Sequence, residues 1–278
     1  MYILGIDSST KILSTAVSMD NKTICRIEDS RSERFMSNII SIIDRLLKKS
    51  RIELSAIDVF AVNIGPGDFT GTRIGIGILK TFAFIENKPI FGIDSLDVFA
   101  VQFFMHNFLK IETVLAKNSP ALIVPLLDVK RNELFFSFYT VSYHAYSKEK
   151  TIELSANGKA YFLNKFTRNH LIDSESFISD FNKLLLSAEL NLTDINKILI
   201  ITGGTAFNFY KTLKQDIKRL GYNFIFSRKS AHPEAEFLNL CACSRVKKAV
   251  GDKSEGNYKA GISGDKLVKP FYIREFFI

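Results

Sequence analysis

The chain has 278 residues, enough for one large domain or two small ones, and 46% hydrophobic against 24% charged residues is an ordinary globular balance. Its net charge of +8 sits late in the chain: residues 200–278 hold 14 basic and 7 acidic side chains, residues 1–199 hold 23 and 22. No apolar run approaches the roughly 18–20 residues needed to cross a bilayer. The start, MYILGIDSST, lacks a basic n-region and meets Asp7 early, so no signal peptide and a cytoplasmic location are expected.

In chain order, 2–6 (YILGI) and 12–19 (ILSTAVSM) predict two strands joined by a short polar turn, with a third near 22–28. Residues 33–49 then place Phe35, Met36, Ile39, Ile40, Ile43, Leu46 and Leu47 at helical spacing, with Ser32 as N-cap and Lys48-Lys49 at the C-terminal end. A strand at 57–64, a glycine-rich loop, a helix over 71–86, a strand at 89–93 and a helix from Ser95 complete one α/β lobe of about 100 residues. The remainder repeats this pattern loosely. Residues 121–146 read as two long strands, and a polar irregular stretch runs to about 172. A helix at 176–187, a strand at 197–202, Gly203-Gly204 and a helix at 206–219 follow. The fold class expected is α/β, two similar lobes in tandem with mixed sheets and helices on both faces. The lobes are placed at 1–100 and 101–230, with 231–278 as a returning helix (234–250), a linker (251–269) and an apolar tail.

Four stretches carry candidate chemistry. GIDSST (5–10) puts an acid and three hydroxyls in the first turn. It could hold phosphate through backbone N–H groups with Asp7 holding a cation, or be a polar hairpin with a structural Asx-turn. LLDVKRNELFF (126–136) has no glycine after Asp128, so backbone approach to an anion is hindered there and a structural role is favoured. ILIITGGTAFNFY (198–210) reads either as a platform for a flat group on Gly203-Gly204 or as a tight strand-to-helix turn.

The fourth, NIGPGDFTGTRIGIG (63–77), holds five glycines and one proline. It does not fit the Walker A pattern, and its loose glycine spacing does not follow the opening strand of a βαβ unit. The helix it launches is apolar almost all round, and Gly71 and Gly75, four apart, leave a smooth side for another helix. Both this helix and the one at 33–49 have more apolar surface than a sheet obviously needs. A helix–helix interface and a cover for both sheet faces remain the two readings. The odd cysteines Cys25, Cys241 and Cys243 lack CxxC spacing, and no two histidines lie three or four apart. Neither a disulfide framework nor a metal-binding helix is expected. The basic C-terminal part has no RNA-binding motif and reads as well as a solvated surface.

Together LGIDSST (4–10), SERFM (32–36), AVNIGPGDFTGTRIGIGILKTFA (61–83), IFGIDSLDVFA (90–100), LLDVKRNELFFSFY (126–139) and KPFYIR (269–274) resemble the TsaB (YeaZ-type) family of tRNA threonylcarbamoyladenosine biosynthesis. The match is dense over 3–100 and thin from 101 to 196. Arg31, Asp68 and Thr72 stand where that family usually has histidine, serine and leucine, and extra sequence lies around 101–120 and 140–175.

The resemblance implies an actin-like/Hsp70-type (ASKHA) ATPase fold and a non-catalytic partner role, with no cofactor. It implies pairing with a TsaD-type catalytic subunit through N-terminal lobe helices, a TsaE-type ATPase in the wider complex, and tRNA as an indirect partner. A homodimer is the other outcome for the isolated chain, and an ATP-dependent kinase or ATPase using Asp7, Ser8, Gly203 and Gly204 is the alternative function. Phe35, Ile39, Ile43, Gly71, Ile74, Gly75, Ile78 and Phe82 are the expected partner-binding residues.

Overall fold

The computed structural model describes residues 1–30, 35–119, 121–128, 133–145, 151–167, 169–173, 199–205, 223–227 and 232–251, with residues 179, 181, 183 and 215. They fall into two compact units: Met1–Val98 with the segment that re-enters at His232, and residues 99–231 between them.

The first unit is built on β1 (Tyr2–Asp7), β2 (Leu13–Met19), β3 (Lys22–Asp29), β4 (Val59–Gly65) and β5 (Ile90–Asp94), in the order β3-β2-β1-β4-β5. The first three strands form the expected antiparallel meander, and β4 and β5 run parallel to β1. Short polar turns suffice for the meander, whereas each parallel step needs a crossover: α1 (Phe35–Ser50) and then α2 (Phe69–Ile85) supply them. Side chains alternate across the sheet. Leu4, Ile6, Leu13, Val17, Phe60 and Val62 form one core with Ile39, Ile42, Ile43 and Leu46 of α1 and Ile76, Leu79 and Ala83 of α2.

The opposite face receives the last helix of the described chain, which spans Ala235–Gly251. Its anchor is Asn239, whose Nδ2 donates to Ile3 O (3.2 Å), Ala16 O (3.1 Å) and Ser18 Oγ (3.0 Å). The other end of that amide lies against Gly5, where any Cβ would overlap Oδ1. Helices therefore cover both faces of this sheet.

The second unit opens with α3 (Ser95–His106), which begins in the first, and α4 (Phe108–Leu115). Its strands are β6 (Ala121–Asp128), β7 (Glu133–Phe136), β8 (Tyr139–Ser142), β9 (Thr151–Ala156), β10 (Lys159–Lys165), β11 (His170–Asp173), β12 (Leu199–Gly204) and β13 (Asn223–Ser227). Strand β12 runs parallel along one edge of β6 from Ala121 to Leu126. Strands β7 and β8, both antiparallel to β6, must then share its other edge as one strand interrupted at Ser137–Phe138. Strands β10 and β11 pair outside them, and β13 lies parallel beyond β12. The resulting order, β10/β11-β8/β7-β6-β12-β13, repeats that of the first unit. Duplication is thus visible in the hydrogen-bond ladder, with β9 added at one edge. The helix at Ala235–Gly251, called α5 below, closes the first unit after this excursion.

The irregular stretch expected up to about 172 is corrected: β9, β10 and β11 lie there. The signal was Asn157-Gly158, both at positive φ (49° and 72°), the dipeptide that two-residue hairpins demand between alternating strands. Strand β13 was not anticipated either. The expected helices at 176–187 and 206–219 fall largely outside the described residues, and the tail and all but the first residue of the linker fall outside them.

Because Gly5 and Asn239 occupy one another's space, their substitutions are coupled. Asn239→Ala is expected to cost about 2 kcal/mol in urea unfolding through its lost buried hydrogen bonds. Gly5→Ala should cost about 2 kcal/mol by overpacking in the wild type. In the Asn239→Ala background that cost should shrink by at least about 1 kcal/mol; strict additivity would contradict the packing described.

Candidate functional site

At the end of β1, Asp7 is fully buried and its carboxylate is spoken for on both oxygens. Oδ1 accepts from the Ser9 N–H (2.9 Å) and the Ser9 hydroxyl (2.8 Å), an Asx-turn, and Oδ2 accepts from Asn63 Nδ2. Asn63 is itself fixed, since its Oδ1 accepts from Gly65 N (2.7 Å) and Ser95 Oγ (2.9 Å). The Ser95 hydroxyl also lies 2.8 Å from Pro66 O. Burial pushes the Asp7 pKa up to about 6, although the bonds from Ser9 and Asn63 pull the other way.

The glycine-rich loop closes over this turn. Asp68 N donates to Ser9 O (2.6 Å), and Ser8 Oγ donates to Gly71 O (2.8 Å). A Cβ at Gly67 would overlap Ser9 O, one at Gly71 would overlap Ser8 O, and one at Gly75 would overlap Ser8 Oγ. Gly77 is different: a Cβ there would meet nothing. Three of the five glycines therefore exist so that the chain can pack on its own first turn.

The first turn of α2 is capped from within. The Asp68 carboxylate accepts from Gly71 N (2.7 Å), and the buried Thr72 hydroxyl donates to Asp68 O (2.7 Å). Asp68 and Thr72, two of the departures from the TsaB pattern, are thus partners in one cap. A carboxylate already occupies the positive end of the helix where a phosphate would sit. In the second unit Gly204 adopts φ +110°, and a Cβ would overlap Leu126 O. Thr205 N donates to Leu126 O (3.2 Å), and Thr205 Oγ1 accepts from Asp128 N (2.8 Å). Gly203 and Gly204 end β12 and tie it to β6. Among the described residues, no three His, Cys, Asp or Glu side chains gather as a metal-binding group.

The helix faces differ from the sequence expectation. Ile39 (0% exposed) and Ile43 (2%) lie in the sheet-side core of the first unit, not on its surface, because the stripe facing the sheet is Ile39-Ile42-Ile43-Leu46. Gly71 and Gly75 are buried against Ser8. Ile74, Ile78 and Phe82 are half-buried, packed on the flank of the core. Phe35 begins α1, and its side chain lies outside the described residues.

Among the described side chains of α1 and α2, the large apolar ones most open to solvent are Ile40 (61% exposed), Phe69 (43%), Phe84 (86%) and Ile85 (66%). Arg73 lies over the Phe69 ring at 3.8 Å. Phe82 and Ile40, with Ile43, Leu47, Ile52 and Leu54, floor an open groove of about 600 Å³, rimmed by Asp44, Lys48, Arg51 and Glu53. The expected set omits Phe69, Phe84 and Ile85 because apolar residues of α2 lie on several sides of the helix. Only the glycine contacts with Ser8 reveal which side turns inward.

With this geometry in view, comparisons with known proteins are informative. Residues 29–161, just under half the chain, match the family model described as TsaD: tRNA N6-adenosine threonylcarbamoyltransferase. The TsaB protein of Haemophilus influenzae is 30% identical over 138 residues, 49% of this chain and 53% of that protein. The Escherichia coli TsaB protein is 28% identical over 139 residues, 50% and 55%. The chain spans about half the length of the curated relatives it matches. A Pseudomonas aeruginosa structure, described as an uncharacterized protein with similarity to peptidase YEAZ, superposes with a TM-score of 0.64 at 17% identity, covering 98% of this chain and 99% of that one. These matches support the TsaB family, and the superposition extends the fold over both units.

Two measurements check the site. A folded pKa near 6 lies above the unfolded value of 3.8, so Asp7's contribution to stability is full below about pH 4 and is lost as pH rises past 6. In urea unfolding, the stability difference between wild type and Asp7→Asn should shift by about 3 kcal/mol across that window in favour of the variant. A pH-independent difference would refute the assignment. Separately, Gly77→Ala should raise stability by about 1 kcal/mol, as an exposed helical glycine allows. Gly71→Ala should lower it by about 3 kcal/mol, because the Ser8 carbonyl is backbone and cannot step aside.

Proposed function

We propose that this chain is a TsaB-type, non-catalytic subunit that holds a TsaD-type tRNA N6-adenosine threonylcarbamoyltransferase in its working arrangement. In that reaction a threonylcarbamoyl group passes from its adenylate to N6 of an adenosine beside the anticodon of ANN-decoding tRNAs. The observation that carries the reading is the surface of α1 and α2. Ile40, Phe84 and Ile85 stand in solvent, Ile40 on the lining of an open groove, while the turn that would serve a nucleotide is spent on internal bonds. Burying one such side chain in a partner yields about 1.5–3 kcal/mol, so three form a credible anchor for a helix pair.

The chemistry assigned to this chain is therefore positional. Sealing the β1–β2 turn fixes α2 against the sheet, and α2 presents its outer side rigidly. A rigid surface loses little side-chain freedom on association, which favours a lasting subunit contact over a transient one. A TsaE-type ATPase and tRNA enter through the assembled complex.

Co-purification with the TsaD-type protein of the same organism tests the reading. Ile40→Asp and Phe84→Asp should each weaken pairing by at least tenfold while leaving the unfolding free energy within about 0.5 kcal/mol of wild type, as exposed positions permit. Retained pairing in both variants would remove α1 and α2 from the interface. Micromolar binding of ATP-Mg to the isolated chain would instead favour an active nucleotide enzyme.

A further inference from the structure

Where the chain re-enters the first unit, five ionisable side chains meet. Arg26 on β3 places Nη1 between Glu234 Oε2 (2.9 Å) and Glu236 Oε1 (2.6 Å). Glu28, two residues along the same strand face, lies with Oε1 3.5 Å from His232 Nε2. Three carboxylates thus share one guanidinium and one imidazole, an arrangement with an excess of negative charge whenever all three acids are ionised.

The burden falls on Glu234. Its side chain is 10% exposed, whereas those of Glu236 and Glu28 keep 21% and 36% of their surface in water. The same residue is mechanically central. Its carbonyl accepts from Phe237 N (3.1 Å) and Leu238 N (3.2 Å), forming the first turn of α5, and the next N–H, of Ala235, donates to Ser14 Oγ on β2 (2.9 Å). The other strands under α5 add little charge here. Strands β2 and β4 carry no ionisable residue, β5 carries Asp94, and β1 carries Asp7, engaged with Ser9 and Asn63.

We propose that His232–Glu236 is a pH-responsive clasp on β3, one that tightens when Glu234 takes up a proton and loosens when Glu234 ionises beside Glu28 and Glu236. Burial and then Glu28 push the Glu234 pKa up to about 7, Arg26 opposes them, and Glu236 adds to the rise. Arg26 holds its own proton more firmly than usual: burial works against its charge, and Glu236, Glu234 and Glu28 outweigh it. The folded pKa lies above the unfolded value of 4.5, so Glu234's contribution to the clasp is full below about pH 4.5 and is lost as pH rises through 7. The stretch so controlled is the one through which the chain returns from the second unit to the first.

Amide hydrogen exchange on the full chain tests this at pH 5.8 and pH 8.0, with rates corrected for intrinsic exchange. Protection at Phe237 and Leu238 is read relative to Leu4 and Ile6 of β1, which removes any change in global stability. In wild type the relative protection should fall about tenfold between the two pH values. Glu234→Gln, which keeps an acceptor for Arg26, should hold it within twofold. A second variant, Arg26→Met, should loosen the turn further at pH 8.0 than at pH 5.8. Constant relative protection in wild type, or a fall that persists in Glu234→Gln, would overturn the clasp.

Discussion

Where β1 ends, the Ser8 carbonyl comes so close to Gly71 that no side chain fits between them, and Ser8 Oγ stands in the same relation to Gly75. This contact sets the rest of the first unit. It sets the rotation of α2 about its axis, because only the glycine side can face the turn. Rotation then decides that Ile76, Leu79 and Ala83 enter the core while Arg73, Gly77, Thr81 and Phe84 face outward. Below it, the Asp7–Ser9–Asn63–Ser95 hydrogen bonds satisfy the polar groups that closing the loop removes from water. A buried carboxylate is tolerated there because every neighbour offers it a donor. The price is the raised pKa, a local destabilisation accepted in return for a fixed turn.

Geometry of this kind explains why an apolar helix can be both a core element and a surface. With its inward stripe held by Ser8, α2 keeps apolar residues on its other sides. Ile74, Ile78 and Phe82 flank the core, and Phe84 and Ile85 project beyond it. The hydrophobic effect that folds the sheet against α2 has no claim on Phe84. Burial against this sheet does not account for it, since Phe84 stays 86% exposed. The same holds for Ile40 on α1, which lies outside the stripe formed by its neighbours Ile39, Ile42 and Ile43.

Much of the first unit was legible in the sequence. Short strand-forming stretches joined by a polar turn located β1 and β2, period 3.6 located α1, and the run VFAVNIG could be read as a buried strand because both faces of a parallel strand are covered. The second unit was less so. The hairpin of β9 and β10 carried its own signal, Asn157-Gly158, but its strands are polar enough to pass for loop. At the site, some of the side chains expected on the surface of α1 and α2 are the ones turned inward. Ile39 and Ile43 look like interface residues only if the sheet beneath them is ignored, and glycines four apart look like a helix-packing groove. Nothing in the local pattern says that Gly71 and Gly75 must meet Ser8, sixty residues earlier: that is a tertiary fact, set by β4 lying parallel beside β1.

The two units share one topology yet treat the end of their first strand differently. In the first, β1 ends at an acid held by Ser9 and Asn63 and covered by three glycines. In the second, β6 ends at Asp128, whose N–H donates to Thr205, while Gly204 presses on Leu126. Both tie the first strand to the segment after the fourth. In the first, the tie also aims a helix, because its glycines continue into α2 at Gly71 and Gly75. In the second, the pair Gly203-Gly204 is followed by no further glycine before Gly221. The concentration of glycine in residues 63–77, and its absence from the turn after Asp128, are the sequence trace of that division.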